Sequence, residues 1–284
     1  MQYTFIQNPL KTENTRLPYF QLVKEVFGLD FTRWYNSGLS GGDFIPYTLF
    51  DNGKAIATVG VLTNHFVHQG QRKAHLQIST VATHKDYRNQ GLSKWLLQAV
   101  LADHQGHDIY LYANDSVKNF YPKFGFIQAH EYSYSLPIQK NNTPYTKLDL
   151  SKQQDLSLLL EKFNQGNPFS ALFMDKNFGI MMFHTLNFLG ECIYLVDDAI
   201  VIAEEDKGAL ICYDIYTATP SSIQALLGAI APTDITATLG FTPKDPTGYT
   251  IEPSHEDNTT IFVLPSNENI FTQNKITIPY LSRA

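Results

Sequence analysis

The stretch that decides the fold is Val81-Ala-Thr-His-Lys-Asp-Tyr-Arg88-Asn-Gln-Gly91-Leu-Ser93. It follows an extended run, Ala74 to Thr83, and precedes apolar residues at Leu92, Trp95, Leu96, Ala99 and Val100. That i, i+3, i+4, i+7, i+8 spacing describes an amphipathic helix. The first four N–H groups of a helix lack internal partners and carry the positive end of its dipole, so a strand, loop and helix in this order attract phosphate. Gly91 lets an anion approach the backbone and Arg88 adds positive charge. The loop is neither a Walker P-loop, which needs G-x-x-x-x-G-K-[ST], nor a dinucleotide fingerprint, which needs G-x-G-x-x-G.

Working outward, Leu17 to Phe27 reads as a helix ending near Gly28. Asp51-Asn-Gly53 divides Tyr47–Phe50 from Ala55–Leu62 and signals a hairpin, because Asn-Gly suits a turn that needs positive φ. Ile109 to Ala113 is a further strand, Ser116 to Phe124 a short helix, and a last strand runs from Gly125-Phe126 to Leu136. Gln139 to Thr143 forms a linker. Beyond it Lys152–Phe163 and Ser170–Leu189 are helix-like. Cys192–Val196, Ile200–Ala203 and Ala209–Thr217 are strand-like, Ser221–Ile230 is helix-like and Ile235–Leu239 strand-like. The second half thus repeats the order helix, β-meander, helix, strand, which predicts a duplicated α+β fold with a mixed sheet.

The chain has 284 residues, enough for about two domains. Its 21 basic and 27 acidic residues give a net charge of −6. The first 137 residues carry 12 basic and 10 acidic groups, and the remainder 9 and 17, so +2 stands against −8. A chain this acidic lacks the basic face of a nucleic-acid coat. Cys192 and Cys212 are too far apart for a CxxC metal or redox motif and read as buried free thiols. No basic-then-apolar leader opens the sequence, and the greasiest window, Gly179 to Val196, is interrupted by His184, Asn187 and Glu191. The expectation is a cytoplasmic protein with no membrane or nucleic-acid partner and no metal.

The pattern V-x-x-x-x-x-x-R-x-x-G-x-S before an amphipathic helix resembles the acetyl-CoA signature of the GNAT family of N-acetyltransferases, usually written Q/R-x-x-G-x-G/A. Arg88, Gly91 and Ser93 take its defining places; Ser93 departs from Gly or Ala but is still small. A second match is Asn114-Asp-Ser-Val-Lys-Asn-Phe-Tyr121-Pro-Lys-Phe-Gly125-Phe126, similar to the family motif in which Asn begins a short helix, an aromatic-Tyr pair follows and Gly-Phe closes it. Asn114 is a natural N-cap.

The resemblance implies a GNAT fold, a mixed central sheet flanked by helices, over residues 1–138 and a degenerate copy over 145–284. It implies that backbone groups of Val81 and Thr83 bond the pantetheine amides of acetyl-CoA, and that Arg88, Asn89, Gln90, Gly91, Leu92 and Ser93 hold its pyrophosphate. Asn114 would bond the pantetheine arm, and Tyr121 would stand near the thioester sulfur. The chemistry gives Tyr121 its own rationale, since a phenol with pKa about 10 is protonated at pH 7 and can protonate the leaving thiolate. Phe120 would serve the core beside it. The reading is an enzyme moving acetyl directly to a small or peptidic amine; the alternative is an inactive acyl-CoA-binding sensor.

The amine must also lose a proton, and a lysine-like amine is neutral in only about 1 part in 2,500 at pH 7, equivalent to roughly 4.6 kcal/mol. His75, His84, a water relay and the carboxylate of Ala284 are the candidates. The last follows from a likeness to the enhanced-intracellular-survival acetyltransferases, in which a chain terminus reaches the site. The second half offers Thr217-Ala-Thr-Pro-Ser-Ser222 where the first has its loop, with no Arg-x-x-Gly. Its −8 charge, including Glu204-Glu-Asp206, could favour a cationic amine, and Trp34-Tyr35 could line the acceptor pocket.

Overall fold

In the computed structural model, residues 3–219, 221–256, 258–265 and 270–284 are described. Two mixed sheets form the molecule. The first is built from β1 (Thr4–Gln7), β2 (Phe44–Asp51), β3 (Lys54–His68), β4 (Gln71–Thr83), β5 (Asp108–Ala113) and β6 (Ile127–Gln128). The second uses β7 (Tyr132–Ile138), β8 (Tyr145–Lys147), β10 (Ile193–Val196), β11 (Ala199–Asp206), β12 (Ala209–Tyr216), β13 (Ile235–Leu239) and β14 (Thr250–Pro253). Two strands from the second half, β9 (Leu172–Met174) and β15 (Thr260–Val263), join the first sheet. The orders are β1-β2-β3-β4-β5-β15-β6 and β14-β7-β13-β12-β11-β10-β8.

The helices are α1 (Glu13–Phe27), α2 (Thr32–Asn36), α3 (Leu92–Asp103), α4 (Gln153–Gln165), α5 (Phe178–Asn187) and α6 (Ile223–Ile230). Side chains of α3 and the inward-facing Leu76, Ile78, Ile109 and Leu111 make one core on one face of the first sheet. A second core on the other face joins α1, α2, α4 and α5 and runs continuously into the second half. A third lies between α6 and the second sheet. The α+β duplication is therefore visible as a shared plan: β4 pairs β5 in parallel with α3 between them in sequence, and β12 pairs β13 in parallel with α6 between them.

The strand expected to close the first sheet, Gly125 to Leu136, is divided. Its start is β6, but its main part is β7, which lies between β13 and β14 in the second sheet. In return β15 lies between β5 and β6 in the first. No single cut of the chain separates the two sheets. The burial of Ile261, Phe262 and Val263 explains the hold of this exchange, since each such side chain contributes about 1.5–3 kcal/mol when removed from water.

Two expected helices also differ. Ser116 to Phe124 forms two 3-10 turns, Asp115–Val117 and Tyr121–Phe124, because Pro122 has no N–H to continue a helix. Ser170 to Leu189 divides at Asn177, which has φ +79° and caps α5 by accepting from the Ile180 amide. The residues before it pair as β9 with the end of β3, a tertiary partner that local pattern does not reveal. Helix α1 begins at Glu13, earlier than expected, with that carboxylate at the positive end of its dipole. Both cysteines are buried and free, as expected. Among the described residues no helix is long and apolar enough to cross a membrane, and no group of three or more His, Cys, Asp or Glu could hold a metal.

Candidate active site

Strand β4 pairs with β5 only from His75↔Asp108 to Ile78↔Leu111. It then runs on to Thr83 with β3 along one edge and, among the described residues, no strand along the other. The divergence starts at a bulge, where Thr80 takes φ +43° and the register against β3 shifts. A β-bulge bends its strand and leaves a residue unpaired, which opens a gap between parallel neighbours. Val81 and Thr83 lie on this open stretch, so their backbone groups are placed to accept an extended, amide-bearing arm.

The loop that follows ends at Gly91, the N-cap of α3, with φ +75° and nothing within 4 Å of where a Cβ would stand. Asn89 is also left-handed, at φ +63°. Gly91 contributes no capping side chain. Among the described residues, the backbone amides of 89–94 donate to no other group. Thr83 and Ser93 join their hydroxyls at 2.6 Å, pinning the start of α3 to the end of β4. The exposed Arg88 reaches the Thr83 carbonyl through Nε at 3.4 Å, and Gln90 accepts from the Tyr3 hydroxyl at 2.9 Å. Open amides at the positive end of a helix form an anion cradle.

Asn114 stands at the end of β5, exposed, in the N-cap position of the first 3-10 turn. Its side chain makes no cap hydrogen bond, contrary to expectation. Tyr121 opens the second turn and is only 5% exposed. It packs against Phe126 and Phe262 at 6.1 and 6.0 Å between ring centroids, so Tyr121 rather than Phe120 is the deeper core residue. Its hydroxyl has no hydrogen-bond partner among the described residues, and burial pushes its pKa up to about 12. It is neutral throughout the physiological range.

On the opposite face of the sheet, the segment Ile276–Ala284 crosses from the second half to the gap. The Gln77 side chain donates to the Ala284 carbonyl oxygen at 2.8 Å and accepts from its N–H at 3.0 Å. Asn64 donates to the Ser282 carbonyl, and His184 lies 2.7 Å from the Arg283 carbonyl. Burial lowers the His184 pKa to about 4, so at pH 7 the ring is neutral and its Nε2–H donates there. The Arg283 guanidinium pairs with Glu131 and Glu256, each at 3.2 Å, and covers the Tyr112 ring.

Beside Ala284 lies a small cavity of about 40 Å³. Its walls are Leu29, Phe31, Trp34, Ser40, Phe44, Leu62, Ser79, Thr80, Asn177, Ile180 and Phe183. Trp34 lines it, while Tyr35 packs under Arg16. Of the groups weighed as proton acceptors, His75 faces Asp108 and His84 faces Lys54 and Glu25; neither lines this cavity, and Ala284 does. Gln77, whose amide holds the tail, carried no sequence signal beyond its place on the long strand.

Residues 12–126 match the model of the acetyltransferase (GNAT) family, and the chain carries a domain of that family. Its fold is shared by a probable N-acyltransferase of Enterococcus faecalis, at 15% identity over 93% of this chain and 72% of that one, with a TM-score of 0.58. It is shared also by Eis1 of Mycobacterium abscessus, at 14% identity over 91% and 73%, with a TM-score of 0.56. A GCN5-related N-acetyltransferase of Kribbella flavida stands at 16% over 92% and 71%, also 0.56. No curated protein sequence matches the chain.

Proposed function

We propose that the protein is an acetyl-CoA-dependent N-acetyltransferase acting on an amine. The observation that carries this is the uncapped start of α3 at Gly91, beside the open edge of β4. Amides from Arg88 through Ser93 would hold the pyrophosphate, Val81 and Thr83 the pantetheine amides, and Asn114 the arm. The amine nitrogen attacks the thioester carbonyl, a C–N bond forms, the C–S bond breaks, and Tyr121 gives its proton to the departing thiolate. The raised pKa of Tyr121 suits a donor, since about 0.1% is ionised even at pH 9. The amine gives its proton to solvent through a water relay.

Thiol release from acetyl-CoA, read with calorimetric binding of CoA, tests this. Tyr121→Phe should lower kcat about 10²-fold with CoA affinity unchanged. Unchanged turnover removes Tyr121 from the mechanism. Tight CoA binding without release for any amine favours a sensor.

A further inference from the structure

The gap between β4 and β5 opens at Ser79. Ile78↔Leu111 is the last pair of the two strands, and Ser79 follows it. Because Leu76 and Ile78 point into the α3 core, strand alternation puts the Ser79 side chain on the face that carries Gln77 and the tail. Its hydroxyl lines the cavity beside Ala284, the residue is only 6% exposed, and among the described residues the hydroxyl has no hydrogen-bond partner. The other polar side chains of the wall are placed differently. Thr80 is hydrogen-bonded to Tyr19. Asn177 donates to the Thr63 carbonyl and to Asn64 and accepts from the Ile180 amide. Ser40 is half-buried. Buried hydroxyls are rarely left unsatisfied, so Ser79 marks where a polar molecule bonds.

The size of the cavity decides what that molecule is. Its 40 Å³ exceeds the roughly 10–15 Å³ that one water needs, and it admits water-sized molecules only. Among the described residues its wall holds no Asp, Glu, Lys, Arg or His side chain, so none there takes a proton outright. We infer that Ser79 is the positioning residue of the proton relay, its hydroxyl holding a water against the nitrogen of the acceptor amine where β4 leaves β5. This deepens the acetyltransferase reading and rests on it. Acetyl transfer from a thioester to a protonated amine yields an amide, a thiol and one proton. As the C–N bond forms and the C–S bond breaks, nitrogen loses two protons, and the held water passes each of them on to solvent and is itself restored. Solvent returns one to Tyr121, which gave its own to the thiolate, and keeps the other. A water already oriented by a fixed hydroxyl needs no reordering when the proton moves.

The test is steady-state thiol release from the full chain with acetyl-CoA over ethylamine, lysine, spermidine and kanamycin, the most active amine then serving for Ser79→Ala, Ser79→Cys and Ser79→Thr. Ser79→Ala should lower kcat at least about tenfold, with the KM of the amine and the calorimetric affinity for CoA unchanged. Ser79→Cys, close in volume but a weak hydrogen-bonding group, should fall as far as Ser79→Ala, and Ser79→Thr, which keeps the hydroxyl, should recover most of the loss. Melting points check that all three fold. Full kcat in Ser79→Ala overturns the inference and leaves acetyl transfer standing. A raised amine KM with kcat unchanged assigns Ser79 to binding the amine and also overturns it. Activity kept by Ser79→Cys and lost by Ser79→Thr shows that volume matters and not the hydroxyl, and overturns it too. No release with any amine overturns both readings.

Discussion

Helices α3 and α6 begin at equivalent places, each just after a strand whose parallel neighbour diverges from it, and they begin differently. Helix α3 starts at Gly91, left-handed and without a cap, with open space beside it and unpartnered amides before it. Helix α6 starts at Ser222, whose hydroxyl accepts from the Ala225 amide. The strand end before α6 is tied inward as well: the Thr217 amide donates to Gly166 O and the Ala218 amide to the Gln165 side chain. Gly240, after β13, bonds Cys212 through its N–H and receives the Tyr280 N–H on its carbonyl. Where the first unit leaves polar backbone groups free, the second satisfies them with its own chain. The same tail then delivers Ala284 to the first unit. At the place where the first unit leaves backbone amides open, the second closes them with its own residues, and its tail bonds the first unit at Gln77.

Several changes break or sharpen this contrast. Phe262→Ala removes a buried ring of the exchanged strand β15 and should cost about 3–5 kcal/mol in denaturant unfolding. Ser222→Ala removes the α6 cap and should cost about 1 kcal/mol while leaving CoA binding untouched.

A separate effect is one of pH. The folded pKa of His184 is lowered from 6.5 to about 4, so below pH 6.5 the unfolded chain binds a proton that the folded chain does not. Stability therefore falls as pH drops from 6.5 towards 4. His184→Gln, which retains a donor for the Arg283 carbonyl, should flatten that part of the melting-point profile.

The loop from Arg88 to Ser93 and helix α3 were legible because their signals are local: a strand, a glycine and a 3.6-residue period, all within some thirty residues. The exchange of β7 and β15 was not, because nothing local distinguishes a strand that closes its own sheet from one that crosses to another; the pairing of Thr260–Val263 with Tyr110–Ala113 spans about half the chain. The same holds for β9, whose apolar run reads as helix until the end of β3 captures it. Within the site, Gly91, Asn114 and Tyr121 could be named from motif spacing. Gln77, Phe44 and Phe183 could not, since an amide on a strand and phenylalanines in apolar runs carry no mark of the tail the first holds or the cavity the other two line.

The contrast between the two helix starts is tested most directly by calorimetric titration of CoA into the full chain and into Gly91→Asp. The Asp side chain would put a carboxylate and a strained positive φ where the anion sits. The expected result is one site per chain, weakened at least about 100-fold by the substitution, as losing near 3 kcal/mol of anion contact requires. Two sites per chain, or one site indifferent to Gly91→Asp, would contradict the account.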